Sequence, residues 1–510
     1  MNLPKQHFDK SRELLKAIDK QKIAEWLLME GYFPEQYVLP PSFRVAGWHL
    51  RSEEFLKDLT NLPRRQLANI SYPKSKLTSR VFSIQHPHNY HDIVYWLIKE
   101  WSLVLDLLFN KNIRVYSYSF PIPISTSKKG ELGPLRSGRM IYEWIGMAEK
   151  DMVAEADKFQ FIVRTDITNY YNSIYTHSIS WALHGREEAL SDKENKLLGN
   201  KIDRLVQYAN DGRTNGIPVG SALTDLIAEI ILSKIDLNIS NKLNNIDFIA
   251  TRFKDDYRFL CNTKEDANTI LRVITRELSK FNLLINESKT HILTLPHGLY
   301  RQHDREYHPY SLRKKDKILF REFEITLLKA IDIHRQFPGT SLLETFFSEL
   351  FDQNYKLKVT FSGKEYLRKI EILKACSLII LAKRESEKVL CWSLAVIEDI
   401  YVQFYKDENL KAYLKKIISA EMQKASFKQS AFELNWLIFF SRYIGLGITN
   451  LTDELDKSEK SNPFIKSIIA SQQKLFNDTH VDLFRKPKDC KDVKLAERLD
   501  IFNKNRDDKN

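Results

Sequence analysis

The feature that most constrains the fold is a strand ending in an aspartate, followed later by two strands that meet at an Asp-Asp pair. Residues 159–166 alternate in strand fashion and end at Asp166, and residues 247–260 form two such runs joined at Lys254 and Asp255. Helical spacing covers residues 195–210 and 223–235 between these strands, and 265–281 after them. This order predicts an α+β domain.

The three aspartates of this pattern suggest nucleotidyl transfer. That chemistry needs carboxylates from separate strands that converge on two divalent ions about 4 Å apart. Asp166 at a strand end and Asp255 with Asp256 at a hairpin turn can supply such a convergence. An isolated Asp-Asp dipeptide more often marks a solvated turn. The order and spacing of the segments therefore carry the prediction that all three are catalytic metal ligands.

Four segments around these aspartates resemble the motifs A to D of reverse transcriptases. They read ITNYYNSI after Asp166, NGIPVGSALT from Asn215, RFKDD from Arg252, and NLLINESKT from Asn282. Their order matches that of the family, which makes coincidence an unattractive explanation.

The motif resemblance also implies roles for three further residues. Tyr171 is expected to pack under the sugar of the incoming nucleotide. Gly220 is expected to bind substrate in a turn that approaches the nascent pair closely, which glycine permits. Lys289 is expected to protonate or electrostatically steady the departing pyrophosphate.

A finer resemblance is to the abortive-infection (Abi) reverse transcriptases of bacterial phage defence. It is carried by NYYNSIYTHSISW at 169–181, GIPVG at 216–220 and LINESKT at 284–290, and more loosely by residues 479–480 and 496–499. The resemblance implies a polymerase that takes dNTPs and uses two Mg²⁺ ions, with Mn²⁺ as an alternative. It further implies synthesis without a supplied template and a single-stranded DNA product attached to a tyrosine of the protein. A homo-oligomer and a helical repeat domain after the palm are also implied.

Three positions depart from ordinary reverse transcriptases and argue against standard RNA-templated copying, although none of them is one of the three aspartates. Val219 stands where glutamine is usual, and Phe253 and Lys254 stand where tyrosine and a small or apolar residue are usual. The alternatives are an RNA-templated reverse transcriptase of a mobile element, a palm-fold nucleotide cyclase, and a non-catalytic scaffold that binds nucleic acid. A cyclase would not need the 216–220 turn, and a scaffold would not need the three aspartates.

Basic residues are in excess and are concentrated in two segments. The 78 lysines and arginines exceed the 66 aspartates and glutamates, giving a net charge of +12 that suits a polyanionic partner. Before Asp166 lie four cations that could bind a triphosphate, and we favour Arg139; the others are Lys128, Lys129 and Arg136. A soluble basic loop explains them equally well. Residues 300–317 mix cations with aromatic rings, a combination found in single-strand binding.

Composition and periodicity predict four parts of the chain. These are an N-terminal and fingers region (1–150), a palm (151–299), a basic linker (300–317) and an α-helical domain (318–510). In the last part Leu390, Leu394 and Ile397 share one helix face, and Ile370, Leu373 and Ile380 share another in the preceding helix. Helices packed in pairs, as a HEAT-like repeat or a bundle, are therefore expected.

Two further expectations concern location and priming. The first 20 residues lack the apolar run of a signal peptide, and no stretch reaches the ~20 apolar residues of a membrane span. We therefore predict a cytoplasmic protein with no membrane partner. The sequence does not identify the priming tyrosine. Tyr32 and Tyr37 are candidates because their proline-rich loop is expected to be mobile.

Overall fold

The N-terminal part of the chain forms helices and a β-hairpin. The computed structural model describes residues 2–75, 77–124, 129–132, 138–404, 407–448 and 461–499, with only the backbone of 138–145. The elements up to the palm are α1 (Leu3–Lys16), α2 (Lys20–Met29), β1 (Phe43–Ala46), β2 (Ala68–Pro73), β3 (Ser79–Ile84), α3 (Pro87–Lys99), α4 (Trp101–Leu108), β4 (Val115–Ser117) and α5 (Gly138–Glu155). Strands β2 and β3 pair antiparallel as the hairpin.

A five-stranded sheet and its helices follow. They are β5 (Phe161–Asp166), α6 (Tyr170–Ser173), α7 (Ser178–His184), α8 (Arg186–Ser191), α9 (Leu198–Ala209), α10 (Ala222–Lys242), β6 (Phe248–Phe253), β7 (Asp256–Cys261), α11 (Lys264–Ser279) and β8 (His291–Thr294). The strand order is β4-β6-β7-β5-β8, and only β4 with β6 is a parallel pair. The predicted strands, hairpin and helices of this region are confirmed.

The two faces of the sheet are covered by different helices. Successive strand residues point to opposite faces. On one face, Ile162, Ile249 and Leu260 form a small apolar core with Met152 of α5. On the other, residues such as Val163 and Phe259 join the main core, which also contains most of α10. The sheet is therefore fixed from both sides, and its polar end is left to carry the aspartates.

The remainder of the chain is mostly helical. Its elements are α12 (Gln302–Tyr307), β9 (Ile318–Leu319), α13 (Phe320–Gln336), α14 (Leu342–Ser348), β10 (Val359–Thr360), α15 (Glu365–Glu385), α16 (Leu390–Gln403), α17 (Glu408–Phe427), α18 (Ala431–Tyr443), two later helices at Pro463–Ala470 and Leu495–Arg498, and β11 (Asp482–Phe484). The predicted fold class, an α+β region followed by helices, is confirmed. None of the helices in the described ranges combines the length and apolar character needed to cross a bilayer.

One predicted helix face is only partly confirmed. Ile380 of α15 is buried, but Ile370 and Leu373 are exposed, and the buried side of the helix instead contains Ile372, Cys376 and Ile379. Apolar residues occur on more than one side of α15, so spacing alone could not select the packed side. The face predicted on α16, with Leu390, Leu394 and Ile397, is buried.

The segment expected to be a basic linker is folded and packed. It contains α12 and a 3-10 turn at His308–Tyr310. Tyr307 is buried, and its hydroxyl donates to Glu349, which also accepts from the backbone amide of Leu312. These contacts join residues 300–317 to the helical region.

Candidate active site

The three predicted aspartates lie at one end of the central sheet. Asp166 is the last residue of β5 and stands opposite Asp256, the first residue of β7. Asp255 occupies the turn between β6 and β7, after Lys254, whose φ of +50° is left-handed. The backbone amide of Ile167 donates to the carbonyl of Asp255 at 3.1 Å. Strand register and this bond therefore hold the carboxylates of both strands at the same edge.

The carboxylates repel one another, and nearby cations offset part of their charge. Burial raises the pKa of Asp255, and the charges of Asp166 and Asp256 raise it further. The ammonium of Lys289 lies 2.9 Å from Asp166 Oδ2, and a guanidinium nitrogen of Arg258 lies 3.7 Å from Asp256 Oδ2. Lys289 and Arg258 thus stand where a positive charge is favoured.

Divalent metal ions are the general cofactors of reverse transcriptase domains. Three carboxylates form the oxygen-only donor set that Mg²⁺ prefers. The pKa of Asp255 is raised first by burial and then by the charges of Asp166 and Asp256, which a bound cation would offset. Among the described residues, no three His, Cys, Asp or Glu side chains are already grouped as ligands of one ion. The donor chemistry fits the metal, and the two-ion prediction for Asp166, Asp255 and Asp256 stays a prediction.

Tyr171 lies in a chain of polar contacts that joins three of the motifs. The strand ends after Asp166, and Asn169, with a φ of +46°, turns the chain into α6. The hydroxyl of Tyr171 donates to Asp225 Oδ1 of α10 at 2.7 Å. The ammonium of Lys254 lies 3.2 Å from the other oxygen, Asp225 Oδ2.

Asp225 was missed by the sequence analysis. A signal existed, because Lys254 departs from the family pattern and needs a partner. Burial, and then the charge of Asp225, raise the pKa of Tyr171 well above its usual value, so the phenol stays protonated. Whether its ring limits the sugar stays a prediction.

The turn before α10 is held by the N-terminal part of the chain. Gly220 has a φ of +136°, and a Cβ there would lie 3.1 Å from Cδ1 of Phe82 in β3. The amide of Ser83 donates to the carbonyl of Val219 at 2.7 Å, and the amide of Ala222 donates to Gly31 at 2.8 Å. The glycine is therefore needed for conformation and for close packing. Its contact with substrate stays a prediction.

A buried ion cluster lies behind the Asp-Asp turn, and the sequence analysis did not find it. Arg252 is fully buried and donates to Glu229 at 2.7 Å and to Asp236 at 2.8 Å. A further bond, of 3.0 Å, runs from its guanidinium to the carbonyl of Lys254. Arg252 therefore ties the Asp-Asp turn to α10.

The predicted cationic residues have mixed placements. Arg139 lies in the first turn of α5, where only the backbone is described. Lys128 and Arg136 lie outside the described residues. Lys129 is exposed. The role of Arg139 at a triphosphate therefore stays a prediction.

In the 300–317 segment, two arginines have structural partners. Arg301 pairs with Glu149 and Arg313 pairs with Glu349. Arg305 is exposed. Only part of the charge of this segment is therefore available to a ligand.

The priming candidates do not lie on a loosely packed loop. Tyr32 is 1% exposed, its hydroxyl donates to the carbonyl of Gln85, and its ring packs edge-on against Trp48 and Tyr90. The expectation of mobility is therefore wrong for Tyr32, which is part of the core. Tyr37 is half-buried, with its ring centroid 5.3 Å from that of Tyr72.

Comparison with known proteins agrees with this geometry. Residues 109–325 match the family described as "Reverse transcriptase (RNA-dependent DNA polymerase)". An apo telomerase from Candida tropicalis truncated from its C-terminal domain is 16% identical, over 46% of this chain and 52% of that one, at a TM-score of 0.29. This chain thus spans about half the length of that structure.

Two other telomerase structures are similar in the same way. Apo telomerase from Candida tropicalis is 11% identical over 78% of this chain and 71% of that one, at a TM-score of 0.33. Telomerase from Candida albicans, solved with a TWJ fragment of telomeric RNA, is 13% identical. The match covers 73% of this chain and 66% of that one, at a TM-score of 0.28. The family match and the sheet that carries the aspartates show that the chain contains a reverse transcriptase domain.

Proposed function

We propose that this chain is a DNA polymerase of abortive-infection phage defence that works without a template and starts its product on one of its own tyrosines. The reverse transcriptase domain supports nucleotidyl transfer of the polymerase kind. The observation that carries the catalytic part is the meeting of Asp166, Asp255 and Asp256 at one sheet edge, with Lys289 beside them. The defence role rests on the resemblance of residues 169–181, 216–220 and 284–290 to the Abi enzymes.

The proposed chemistry assigns one task to each side chain. Asp166, Asp255 and Asp256 would hold Mg²⁺, which when bound activates the attacking hydroxyl and neutralises the leaving pyrophosphate. Lys289, already beside Asp166, offers a proton to the departing pyrophosphate. Tyr171 limits the space beside the sugar and thereby favours dNTPs.

Template independence is supported by motif B. The side chain of Val219 cannot make the hydrogen bond that glutamine offers near a nascent pair, and its carbonyl is bonded to Ser83. A reverse transcriptase of a mobile element would use the same aspartates, so only the requirement for a primer and template separates the two functions.

Protein priming needs a tyrosine hydroxyl that can reach the active site. A phenol can attack an α-phosphate as a 3′-hydroxyl does. The buried, hydrogen-bonded Tyr32 is a poor nucleophile, whereas Tyr37 is half-buried and Tyr300 and Tyr310 are 54% and 43% exposed. Phenylalanine variants of Tyr37, Tyr300 and Tyr310 identify the primer as the variant that loses the attached product.

The decisive experiment uses purified protein, Mg²⁺ and labelled dNTPs without nucleic acid. We expect label that stays on the denatured protein and enters the aqueous phase of a phenol extraction only after protease treatment. Asp166→Asn and Asp255→Asn preserve side-chain shape but remove a metal ligand, so each should reduce incorporation to background with an unchanged circular dichroism spectrum.

Two outcomes would count against the proposal. Synthesis only on an added RNA template with a primer would favour the mobile-element enzyme. Full activity of either asparagine variant at matched purity would contradict the active-site assignment. Sedimentation of the product-bearing protein tests the expected homo-oligomer.

A further inference from the structure

A small cavity lies where the β2–β3 hairpin, the N-terminal loop and the C-terminal helices meet. It encloses about 150 Å³ and is lined by side chains from all three regions. None of its lining residues belongs to the catalytic edge described above. At that volume the cavity can take a flat ring, and the remainder of a nucleotide would lie at its mouth.

Aromatic rings form part of the wall. Tyr37 comes from the N-terminal loop, Tyr72 from β2 and Trp392 from α16. The Tyr72 ring is held by an edge-on contact with Phe432, with centroids 4.9 Å apart. Such rings bind bases without regard to sequence because every base has a π-face.

Three cations and one buried carboxyl group also line the cavity. Lys74 and Arg80 of the hairpin are exposed, and Lys388 faces them from the C-terminal region. Burial lowers the pKa of Lys388, Glu344 acts to raise it, and Arg80 and Lys74 lower it further, so the three positive charges act on one another. This concentration of positive charge favours an anion at the mouth of the cavity.

Glu344 has an unused acceptor at this cavity. The residue is 5% exposed, and its Oε2 has no hydrogen-bond partner within the described ranges. Burial raises the pKa of Glu344 to about 7, against the effect of Lys388. A buried polar atom without a partner is costly, and a ligand N–H would satisfy it.

We propose that this cavity binds one nucleotide unit, with its base against Tyr37, Tyr72 and Trp392 and its phosphate on Lys74, Arg80 and Lys388. Glu344 accepts from an N–H on the edge of the base. The same chemistry is offered by a free nucleotide and by a nucleotide of the DNA strand that the protein makes. The second source rests on the proposed function, and the first does not.

The hairpin that lines the cavity also contacts the turn of motif B. Phe82 lines the cavity and packs against Gly220, and the next residue, Ser83, bonds to Val219. A nucleotide in the cavity would therefore contact the hairpin residue that packs against this turn. Through that contact, bound nucleotide could influence synthesis.

The test is photo-crosslinking followed by peptide mapping. The first arm gives 8-azido-dATP to Asp255→Asn in EDTA, where the metal-dependent site is disabled. The second arm lets the wild type incorporate 5-bromo-dUTP with Mg²⁺ before irradiation. We expect crosslinks on peptides that contain Tyr72 or Trp392, in the first arm for a free nucleotide and in the second for the strand.

Matched variants decide whether the cavity is responsible. Lys74→Ala/Arg80→Ala removes two exposed cations and should raise the half-saturating concentration, or lower the strand crosslink, by roughly tenfold or more. Lys111→Ala/Arg276→Ala removes one lysine and one arginine elsewhere and should change neither. Because all four side chains are exposed, both variants are expected to fold.

The results separate this proposal from the proposed function. Normal DNA synthesis without any crosslink to the cavity peptides, or an equal effect of both double variants, overturns the nucleotide cavity alone. Crosslinking of free nucleotide to those peptides in a protein that makes no DNA supports the cavity and rejects the polymerase.

Discussion

At the scale of single residues, the active edge depends on backbone turns and on partners that neutralise charge. Lys254 adopts a left-handed φ of +50°, which lets Asp255 turn toward the end of β5. The same lysine extends its ammonium to Asp225, the residue that holds the Tyr171 hydroxyl. Motifs A, B and C are thus joined by two polar contacts on a single carboxylate.

The first prediction at this scale concerns the selection of the sugar. Tyr171→Ala should admit ATP relative to dATP better by about tenfold or more, because each ~1.4 kcal/mol of lost steric exclusion is tenfold in kcat/KM. Tyr171→Phe keeps the ring and should retain most of the selectivity. The measurement is kcat/KM for both nucleotides in each variant.

The neighbouring Tyr170 supplies the control. It is buried, and its hydroxyl donates to the carbonyl of Ala228, so Tyr170→Phe avoids the cavity that alanine would create. An unchanged ratio in Tyr171→Ala, or an equal shift in Tyr170→Phe, would remove the sugar-selecting role from Tyr171.

At the scale of secondary-structure elements, buried charges fasten strands to helices. Arg252 of β6 is bonded to Glu229 and Asp236 of α10, and its guanidinium also reaches the carbonyl of Lys254. Two carboxylates in a dry site need that cation. The ion cluster therefore couples the stability of the sheet to the position of the Asp-Asp turn.

Removing the cation should be costly. Arg252→Met leaves two buried carboxylates uncompensated, and we expect a loss of about 3–5 kcal/mol in the free energy of unfolding. Urea unfolding measures the change. Arg276 is exposed, so the control variant Arg276→Met should change the free energy of unfolding by close to zero. A loss similar to that of the control would show that the cluster contributes little.

A second element-scale prediction concerns pH. His177 at the start of α7 is bonded to Asp203 of α9, and this hydrogen bond raises the histidine pKa against the effect of burial. A histidine whose folded pKa is raised stabilises the fold below its unfolded pKa of 6.5, and the contribution disappears as pH rises through the folded value. The destabilisation caused by His177→Gln should therefore be larger at about pH 5.5, below the unfolded pKa, than at about pH 9, where the histidine is neutral in both states.

The readout is urea unfolding of both proteins at the two pH values. If His177→Gln lowers the free energy of unfolding equally at both pH values, or more at the higher one, the bond with Asp203 is not charge-assisted.

At the scale of the whole molecule, the C-terminal region packs against the N-terminal region. Strand β11 pairs antiparallel with β1, and the ring of Phe43 packs against Phe464 and Phe484. The thiol of Cys391 donates to the carbonyl of Tyr37. The N-terminal region is therefore packed on the helical region as well as on the palm.

A truncation tests this interdependence. A chain that ends at residue 325, where the family match ends, exposes Phe43 and Tyr72 and leaves β1 unpaired. We expect it to aggregate or to lose cooperative thermal unfolding, whereas the full chain remains cooperative. A monomeric, cooperatively unfolding fragment in sedimentation and calorimetry would show instead that the reverse transcriptase domain is independent.

The sequence by itself determined the strands and helices of the palm and the place of Asp166, Asp255 and Asp256 on them. Periodicity of two or 3.6 residues is a local property, and the turn at the Asp-Asp pair is set by neighbours in the chain. Only the tertiary structure decided which residues meet across long separations. Three such long-range contacts are the hydrogen bond of Tyr171 to Asp225, the ion cluster of Arg252 and the pairing of β1 with β11.

Two of the misplaced expectations have the same cause. Tyr32 lies in a proline-rich loop that sequence alone describes as mobile, but packing against Trp48 and Tyr90 buries it. In α15 the packed side is that of Ile372 rather than Ile370, because the neighbouring helices, and not the spacing, select the face that leaves water. Burial is a property of the assembled molecule, since the apolar surface removed from water depends on what packs against it.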